Sequence, residues 1–274
     1  MGADVTRRTA RGVVTWLALV WSAEAVTVRA TDSPTISAAQ RVFYNGQYET
    51  AATLAMALES SPTDGLAALE LRSTALHLQV RRAIGQGIDK DVALKGCAAC
   101  PDMLADFFKA TAVGQALARA RLKTEQTDEA LFYLGKFDLN YVWMNVDTLG
   151  RKTGWSEYWE ARKSLDAALK LNPNHIRARV ARAWIDYIVD TKMTRGFRWL
   201  LGGGNRKRAL ATSRDAASAE ASFFVHTEAL FALWDMQVRE RNFKEAVVAA
   251  RQLVVDFPEN QELSKFLARH DGDQ

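Results

Sequence analysis

The chain has 274 residues, with 36 lysines and arginines against 32 aspartates and glutamates, which gives a formal net charge of +4. This length allows one elongated domain or two small ones, and a 48% share of hydrophobic residues is ample for a buried core. The small net charge excludes a strongly basic nucleic-acid-binding protein, although it leaves room for a local basic patch.

The first 25 residues have the pattern of a cleaved secretory signal peptide. Arg7, Arg8 and Arg11 form a basic start, residues 13–21 form a short apolar core, and Ala23-Glu24-Ala25 matches a signal-peptidase site. The apolar core is well short of the ~20 residues that a membrane-spanning helix needs. The alternatives are an uncleaved amphipathic start and a short membrane anchor. We therefore expect a periplasmic or secreted protein without a membrane span after cleavage.

Helical periodicity governs almost all of the chain beyond residue 35. Residues 26–35 are polar and are predicted to form a mobile arm. After them, apolar residues recur at i, i+3, i+4 and i+7, and no alternating strand pattern is found. The sequence therefore predicts an all-α domain over residues 36–270.

One spacing of small residues and proline occurs twice at the ends of amphipathic helices. A small residue is needed where two helices cross closely, and proline ends a helix because it cannot continue the backbone hydrogen bonding. The spacing therefore predicts helix pairs stacked along the chain. Ala161, Ala168 and Pro173 recur as Ala246, Leu253 and Pro258.

These residues resemble the second helix of a tetratricopeptide repeat (TPR), clearly over residues 156–267 and more loosely over 36–155. The resemblance implies an α-solenoid of antiparallel helix pairs that forms a right-handed superhelix, with a concave groove lined by the first helices. The chain also resembles, more weakly, the TPR-type T component of TRAP transporters. Gly202-Gly203-Gly204 before Ala209-Leu210 carries this second resemblance, but the lipoprotein cysteine of that family is missing.

The repeat spacing also predicts two insertions. In two successive units the small residue of the second helix falls about 14 residues late, at Ala161 and Ala209. Insertions are therefore expected at about 141–154 and 191–204. Equivalent insertions in neighbouring units emerge on the same face, so we expect the two segments to meet.

The two insertions are the predicted partner-binding site. Aromatic and arginine side chains are typical of binding hot spots. The alternative is that the aromatic residues pack inward and the basic residues are merely solvated. Asn205 has two interpretations, a helix cap or part of an anion site at the start of its helix. The predicted site residues are Tyr141, Trp143, Arg151, Lys152, Arg195, Arg198, Trp199 and Asn205, whereas Trp155, Tyr158, Trp159, Trp184 and Tyr187 are expected in the core or groove wall.

No catalytic constellation is found in the sequence, and no cofactor or metal is predicted. His77, His175, His226 and His270 lie far apart and lack metal-ligand spacing. Cys97 and Cys100 are predicted to form a structural disulfide, with a redox-active pair or a metal site as alternatives.

Three functions remain open from the sequence. The first is a non-enzymatic scaffold of the cell envelope that holds a peptide or protein partner in a groove capped by the two insertions. The second is a binding protein for a small anionic ligand that serves a transporter. The third, a thiol–disulfide enzyme, has the weakest basis. An open apolar groove favours the first, and a pore or pocket that passes through the stack beneath the two insertions favours the second. An exposed thiol pair beside a cleft favours the third.

Overall fold

The structure is a computed structural model that describes residues 35–85, 89–270 and 272. The predicted signal peptide and the arm as far as residue 34 lie outside the described residues. None of the described helices is both long and apolar enough to cross a membrane.

The described residues fold into α-helices joined by turns and irregular connections. Residues 143–148 form a π-helical segment that continues directly from the preceding α-helix. In chain order the α-helices are α1 (Ile36–Tyr44), α2 (Tyr48–Met56), α3 (Gly65–Ile84), α4 (Lys90–Gly96), α5 (Cys100–Thr124), α6 (Asp128–Val142), α7 (Trp155–Leu171), α8 (Ile176–Lys192), α9 (Arg195–Leu200), α10 (Arg206–Ser218), α11 (Phe223–Arg239), α12 (Phe243–Asp256) and α13 (Gln261–His270).

Ten of these helices form five successive pairs, namely α1/α2, α3/α5, α6/α7, α8/α10 and α11/α12. The first helix of each pair packs on the first helix of the next pair, in the order α1, α3, α6, α8 and α11, and α13 packs on α12. The predicted all-α solenoid of TPR-like helix pairs is confirmed by this arrangement.

Small residues lie where the paired helices cross. Ala161, Ala168, Ala209 and Ala216 are fully or almost fully buried, as the repeat spacing predicted. Gly135 on α6 faces α7 so closely that an added Cβ would lie 2.8 Å from Leu165 Cγ. The paired helices therefore approach each other through residues with little or no side chain.

Three of the five pairs have a long connection between their helices. The connections are residues 85–99, 143–154 and 193–205. The first was not identified as an insertion from the sequence, because the degenerate N-terminal units gave no reliable repeat spacing. The second begins later than predicted, since Asn145 Nδ2 donates to Tyr141 O and the chain continues as a π-helical segment.

The first and last helix pairs contact each other, so the concave face closes on itself. Tyr44 stacks on Phe231 at a centroid distance of 5.2 Å and packs against Phe257 at 5.4 Å. Asn260 Nδ2 donates to Tyr44 O at 2.7 Å, and Arg82 pairs with Glu262. The first helices thereby surround a space that stays partly open to solvent.

Candidate functional site

The candidate site is a partly open cavity of about 600 Å³ that is lined mainly by the first helices of the repeats. Each first helix contributes residues three or four positions apart, which share one face of the helix. On α3 this stripe includes Glu70, Thr74, His77 and Arg81, and on α8 it includes Arg177, Ala181, Trp184 and Ile188. The expectation that first helices line the concave face is therefore met.

A compact group of four charged side chains closes one end of the cavity. Arg177 pairs with Glu228 and, at 3.0 Å, with Glu70. Lys136 Nζ lies 3.5 Å from Glu228 and 3.8 Å from Glu70. We call Glu70, Lys136, Arg177 and Glu228 the charge cluster. Its two cations and two anions balance, so this end of the cavity has no net charge.

The charge cluster keeps Arg177 and Glu228 ionised although both are largely buried. Burial alone would lower the pKa of Arg177, but Glu228, Tyr133 and Glu70 raise it well above its usual range. Burial would likewise raise the pKa of Glu228, but Arg177 and Lys136 lower it below its usual value. The guanidinium of Arg177 also lies 4.5 Å from the centroid of the Phe132 ring, a cation–π contact.

Aromatic rings surround the middle of the cavity. Trp184 packs edge-on against Tyr187 at 5.7 Å, and Trp234 packs edge-on against Phe231 at 6.1 Å. Aromatic and apolar walls of this kind are typical of sites for small organic molecules. The aromatic lining residues are Phe43, Tyr44, Tyr48, Trp143, Trp184, Phe231 and Trp234.

One wall of the cavity, formed by α3 and α6, is polar. Asn140 Nδ2 donates to Thr74 Oγ1 at 3.0 Å, and Thr74 Oγ1 donates to Glu70 at 3.0 Å. His77 Nε2 lies 2.8 Å from Thr148 Oγ1. Burial, with a smaller effect of Arg81, lowers the pKa of His77 to about 4. His77 is therefore neutral at neutral pH and adds a hydrogen-bonding group to this wall without adding a charge.

The other end of the cavity, at the C-terminal ends of the first helices, carries more exposed charges of both signs. Arg82 pairs with Glu262, and both side chains are about half exposed. Arg239 pairs with Asp235 and also lies over the Trp184 ring. This end is therefore the mouth of the cavity. Over the whole lining, five cations (Arg81, Arg82, Lys136, Arg177, Arg239) face five anions (Glu70, Asp147, Glu228, Asp235, Glu262).

The predicted site residues of the first insertion occupy different environments. Trp143 is half-buried and lines the cavity, whereas Tyr141 packs against Phe108 at 5.8 Å. Arg151 and Lys152 are exposed. The insertion is held to the 85–99 connection, because Lys90 Nζ donates to Asp147 O. Its contribution to the cavity is Trp143 and Asp147.

The second insertion attaches to α7. Tyr158 Oη donates to Leu201 O at 2.8 Å, and Arg162 donates to Leu201 O at 3.1 Å and Gly202 O at 2.7 Å. None of its described side chains is among the lining residues of the cavity. The picture of two insertions that jointly cap a groove is therefore replaced by two segments with separate attachments.

The remaining site residues lie within or beside this second insertion. Trp199 is 80% exposed. Arg198 donates to Met193 O and pairs with Asp190. Arg195 belongs to α9, but its side chain lies outside the described residues, as does that of Phe197. Asn205 caps α10 by accepting from Arg208 N at 2.9 Å, so the helix-cap interpretation matches the geometry.

Two tryptophans expected in the core or groove wall are instead exposed. Trp155 and Trp159 on α7 are 51% and 45% exposed, whereas Tyr158 between them is buried. Helical spacing placed all three on one stripe, but Tyr158 and Arg162 turn inward to bind residues 201–203, which leaves the tryptophans outside. Trp184 and Tyr187 do face the cavity wall and the core.

The cysteines and two of the histidines, His175 and His270, make contacts that support the fold. Cys97 and Cys100 form a disulfide with an S–S distance of 2.10 Å directly before Pro101 in α5. His175 caps α8 by accepting from Ala178 N, and His270 stacks on Phe243. Among the described residues no group of three or more histidine, cysteine, aspartate or glutamate side chains could hold a metal ion.

Sequence reasoning missed the charge cluster and most of the cavity lining. A signal for them was present on α3, where Glu70, Thr74, His77 and Arg81 recur at helical spacing as a polar stripe. The other three members of the charge cluster come from three other helices, α6, α8 and α11. Only the closure of the solenoid brings those helices around one space.

Comparison with known proteins gives little beyond this description. No protein-family model matches the chain, and no curated protein matches it significantly. Among solved structures, a thermophilic TPR protein from Thermus thermophilus is similar to it, with 17% sequence identity and a TM-score of 0.44. That similarity covers 85% of this chain and 95% of the Thermus protein.

Proposed function

We propose that this protein is a non-enzymatic binding protein that holds a small organic molecule in the cavity between its first helices. Helical-repeat solenoids generally serve as scaffolds that bind partners on their concave surface. Here the contact of Tyr44 and Asn260 closes that surface, which is the observation that carries the proposal. The volume of this partly open cavity, about 600 Å³, lies within the range of about 300–1,000 Å³ that is usual for small-ligand sites.

The lining indicates an uncharged or zwitterionic ligand with an aromatic or apolar body. Seven aromatic residues provide apolar contact area, while Thr74, His77 and Asn140 provide hydrogen bonds along one wall. The balanced charges of the lining give no preference for anions. We therefore favour the small-ligand function among those expected from the sequence, but without the anionic selectivity.

The experiment uses the neutral fluorescent probe N-phenyl-1-naphthylamine and the full-length protein. Leu78 is half-buried and lines the cavity, so Leu78→Trp should fill part of the space and weaken probe binding by about tenfold or more. Val255→Trp on α12 is the matched control, because Val255 is exposed and does not line the cavity. Equal binding of the probe by both variants and the native protein would show that the cavity is not the binding site.

Fewer observations support the protein or peptide partner that is expected from the sequence, such as a transporter component. It rests on the TPR-like fold and on the Gly202–Gly204 resemblance. In such an assembly the ligand-loaded protein would be the form that is recognised. Pull-down of envelope extracts with the native protein and with Leu78→Trp would distinguish a ligand-dependent partner from one that binds the outer surface.

We also propose that the protein works in the cell envelope after export. The signal-like pattern of residues 1–25 supports this location, and so does the Cys97–Cys100 disulfide, because disulfides persist in oxidising compartments. N-terminal sequencing of protein from the envelope fraction should give Val26 as the first residue. A chain that starts at Met1 in the cytoplasmic fraction would contradict the proposal.

A further inference from the structure

Three tryptophans and a leucine are exposed to solvent beside the second insertion. Trp199 is 80% exposed and Leu200 is 56% exposed, while Trp155 and Trp159 are about half exposed. We call these four residues the tryptophan surface. Soluble proteins seldom leave several large apolar side chains exposed together unless the surface has an interaction to make.

The four side chains belong to one surface because α9 is fixed to α7. Trp155, Tyr158, Trp159 and Arg162 lie three or four residues apart, on one side of α7. Tyr158 and Arg162 bind the backbone oxygens of Leu201 and Gly202, which directly follow Trp199 and Leu200. The hydrogen bonds therefore hold the exposed end of α9 next to the exposed tryptophans of α7.

Positive charge surrounds this surface. Arg151 and Lys152 precede Trp155 by four and three residues, Lys192 lies just before α9, and Lys207 lies in the first turn of α10. All four are exposed, and within the described part of the chain none of them forms an ion pair.

The acidic groups nearby are mostly neutralised. Asp190 pairs with Arg198, and Glu160 pairs with Arg119. Glu157, which accepts from Ser156 Oγ, and Asp147 have no ion-pair partner among the described residues, so they offset two of the four cations. The surroundings of the tryptophan surface therefore carry a net positive charge.

We propose that the tryptophan surface docks the protein onto a lipid bilayer that contains anionic lipids. Tryptophan is the side chain that favours the boundary between headgroups and acyl chains. Unpaired lysines and arginines next to it are attracted by anionic headgroups. A bilayer also suits side chains that protrude, because it yields around them, whereas a hot spot for a protein partner is normally set in a well-packed pocket.

This docking is peripheral and reversible. The tryptophan surface is small and no described helix could span the bilayer, so the apolar side chains enter only the headgroup region. The proposal concerns the outer surface and does not depend on what the cavity binds.

Vesicle flotation with the full-length protein tests the proposal. The native protein should float with vesicles of equimolar phosphatidylglycerol and phosphatidylcholine at low salt, and much less with phosphatidylcholine alone. Trp199→Ser combined with Leu200→Ser should weaken binding by about tenfold or more, because the apolar contact is lost. Lys152→Glu should weaken binding to the anionic vesicles and leave the weak binding to phosphatidylcholine unchanged.

The matched control replaces two exposed valines of another surface. Val248 and Val255 on α12 are 58% and 78% exposed, and their double replacement by serine should leave flotation unchanged. Circular dichroism should show native helix content for all variants, because every replaced side chain is exposed. The proposal is wrong if the native protein does not float with anionic vesicles, or if the Trp199/Leu200 variant floats as well as the native protein. Loss of a protein partner by that variant, without vesicle binding by the native protein, would assign the surface to protein docking instead.

Discussion

Arg177 is the residue whose removal should most clearly reveal the role of the charge cluster. Its guanidinium contacts both carboxylates of the cluster and the Phe132 ring, and its side chain is only 16% exposed. Arg177→Met leaves Glu70 and Glu228 with Lys136 as their single cation. Breaking a buried pair in this way typically costs about 3–5 kcal/mol of unfolding free energy, because an uncompensated charge stays buried.

Arg82→Met is the matched control on the same cavity. Arg82 pairs with Glu262 at 3.1 Å, but both side chains are about half exposed. Solvent screens such a pair, so its loss should cost no more than about 1 kcal/mol. The two variants thus remove the same kind of side chain from two solvent environments.

A double variant distinguishes the loss of the ion-pair attraction from the cost of leaving a buried carboxylate without a partner. Arg177→Met combined with Glu228→Leu leaves Lys136 and Glu70 as a balanced pair. Most of the lost stability should therefore return, since replacing both partners of a buried pair by apolar groups is often close to neutral. Urea unfolding followed by far-UV circular dichroism gives the free energies. The reasoning fails if Arg177→Met costs no more than Arg82→Met, or if the double variant is less stable than the single one.

Three further predictions concern other parts of the fold. Burial raises the pKa of Asp138 to about 8, above its usual unfolded value near 3.9. Between these two pH values the folded state keeps a proton that the unfolded state releases. The free energy of unfolding should therefore fall as the pH rises from about 4 to 8. Asp138→Asn should flatten this fall in urea titrations, and an unchanged pH profile would contradict the assignment. Gly204→Ala should lower the free energy of unfolding by about 1–3 kcal/mol, because an added Cβ would lie 2.6 Å from Asp190 N. In the control Gly196→Ala, the added Cβ has no atom within 4 Å, so the melting temperature should stay unchanged. Tyr44→Ala should speed amide hydrogen exchange in α1 and α13 but not in α6 and α7. An equal change in exchange rate in all four helices would show that Tyr44 does not hold the first and last helix pairs together.

The regular part of the fold could be predicted from the sequence because it depends on local spacing. Ala161, Ala168 and Ala246 lie at fixed intervals along their own helices, and the close crossings that they allow involve neighbouring helices. The irregular connection at 85–99 could not be identified as an insertion within a repeat unit, because the first two units carry no such spacing. The disulfide within it was predicted, since its two cysteines are three residues apart.

The cavity could not be predicted because its walls come from residues far apart in the chain. Arg177 and Glu70 are 107 positions apart, and Tyr44 and Asn260 are 216 apart. No periodicity links such residues, and their meeting depends on how much the solenoid curves. Trp155 and Trp159 were misplaced for a related reason. Helical spacing indicates which residues share a face, but not which of them another segment will cover.

The contact between the first and last helix pairs has a consequence for how the protein unfolds. In an open repeat array the terminal units have a neighbour on one side only, so they fray first and unfolding proceeds inward. Here Tyr44 and Asn260 give the first unit a second neighbour. Each of the five helix pairs is thus supported on both sides, as in a closed ring. The described domain should therefore lose its structure in one cooperative transition, without a frayed intermediate.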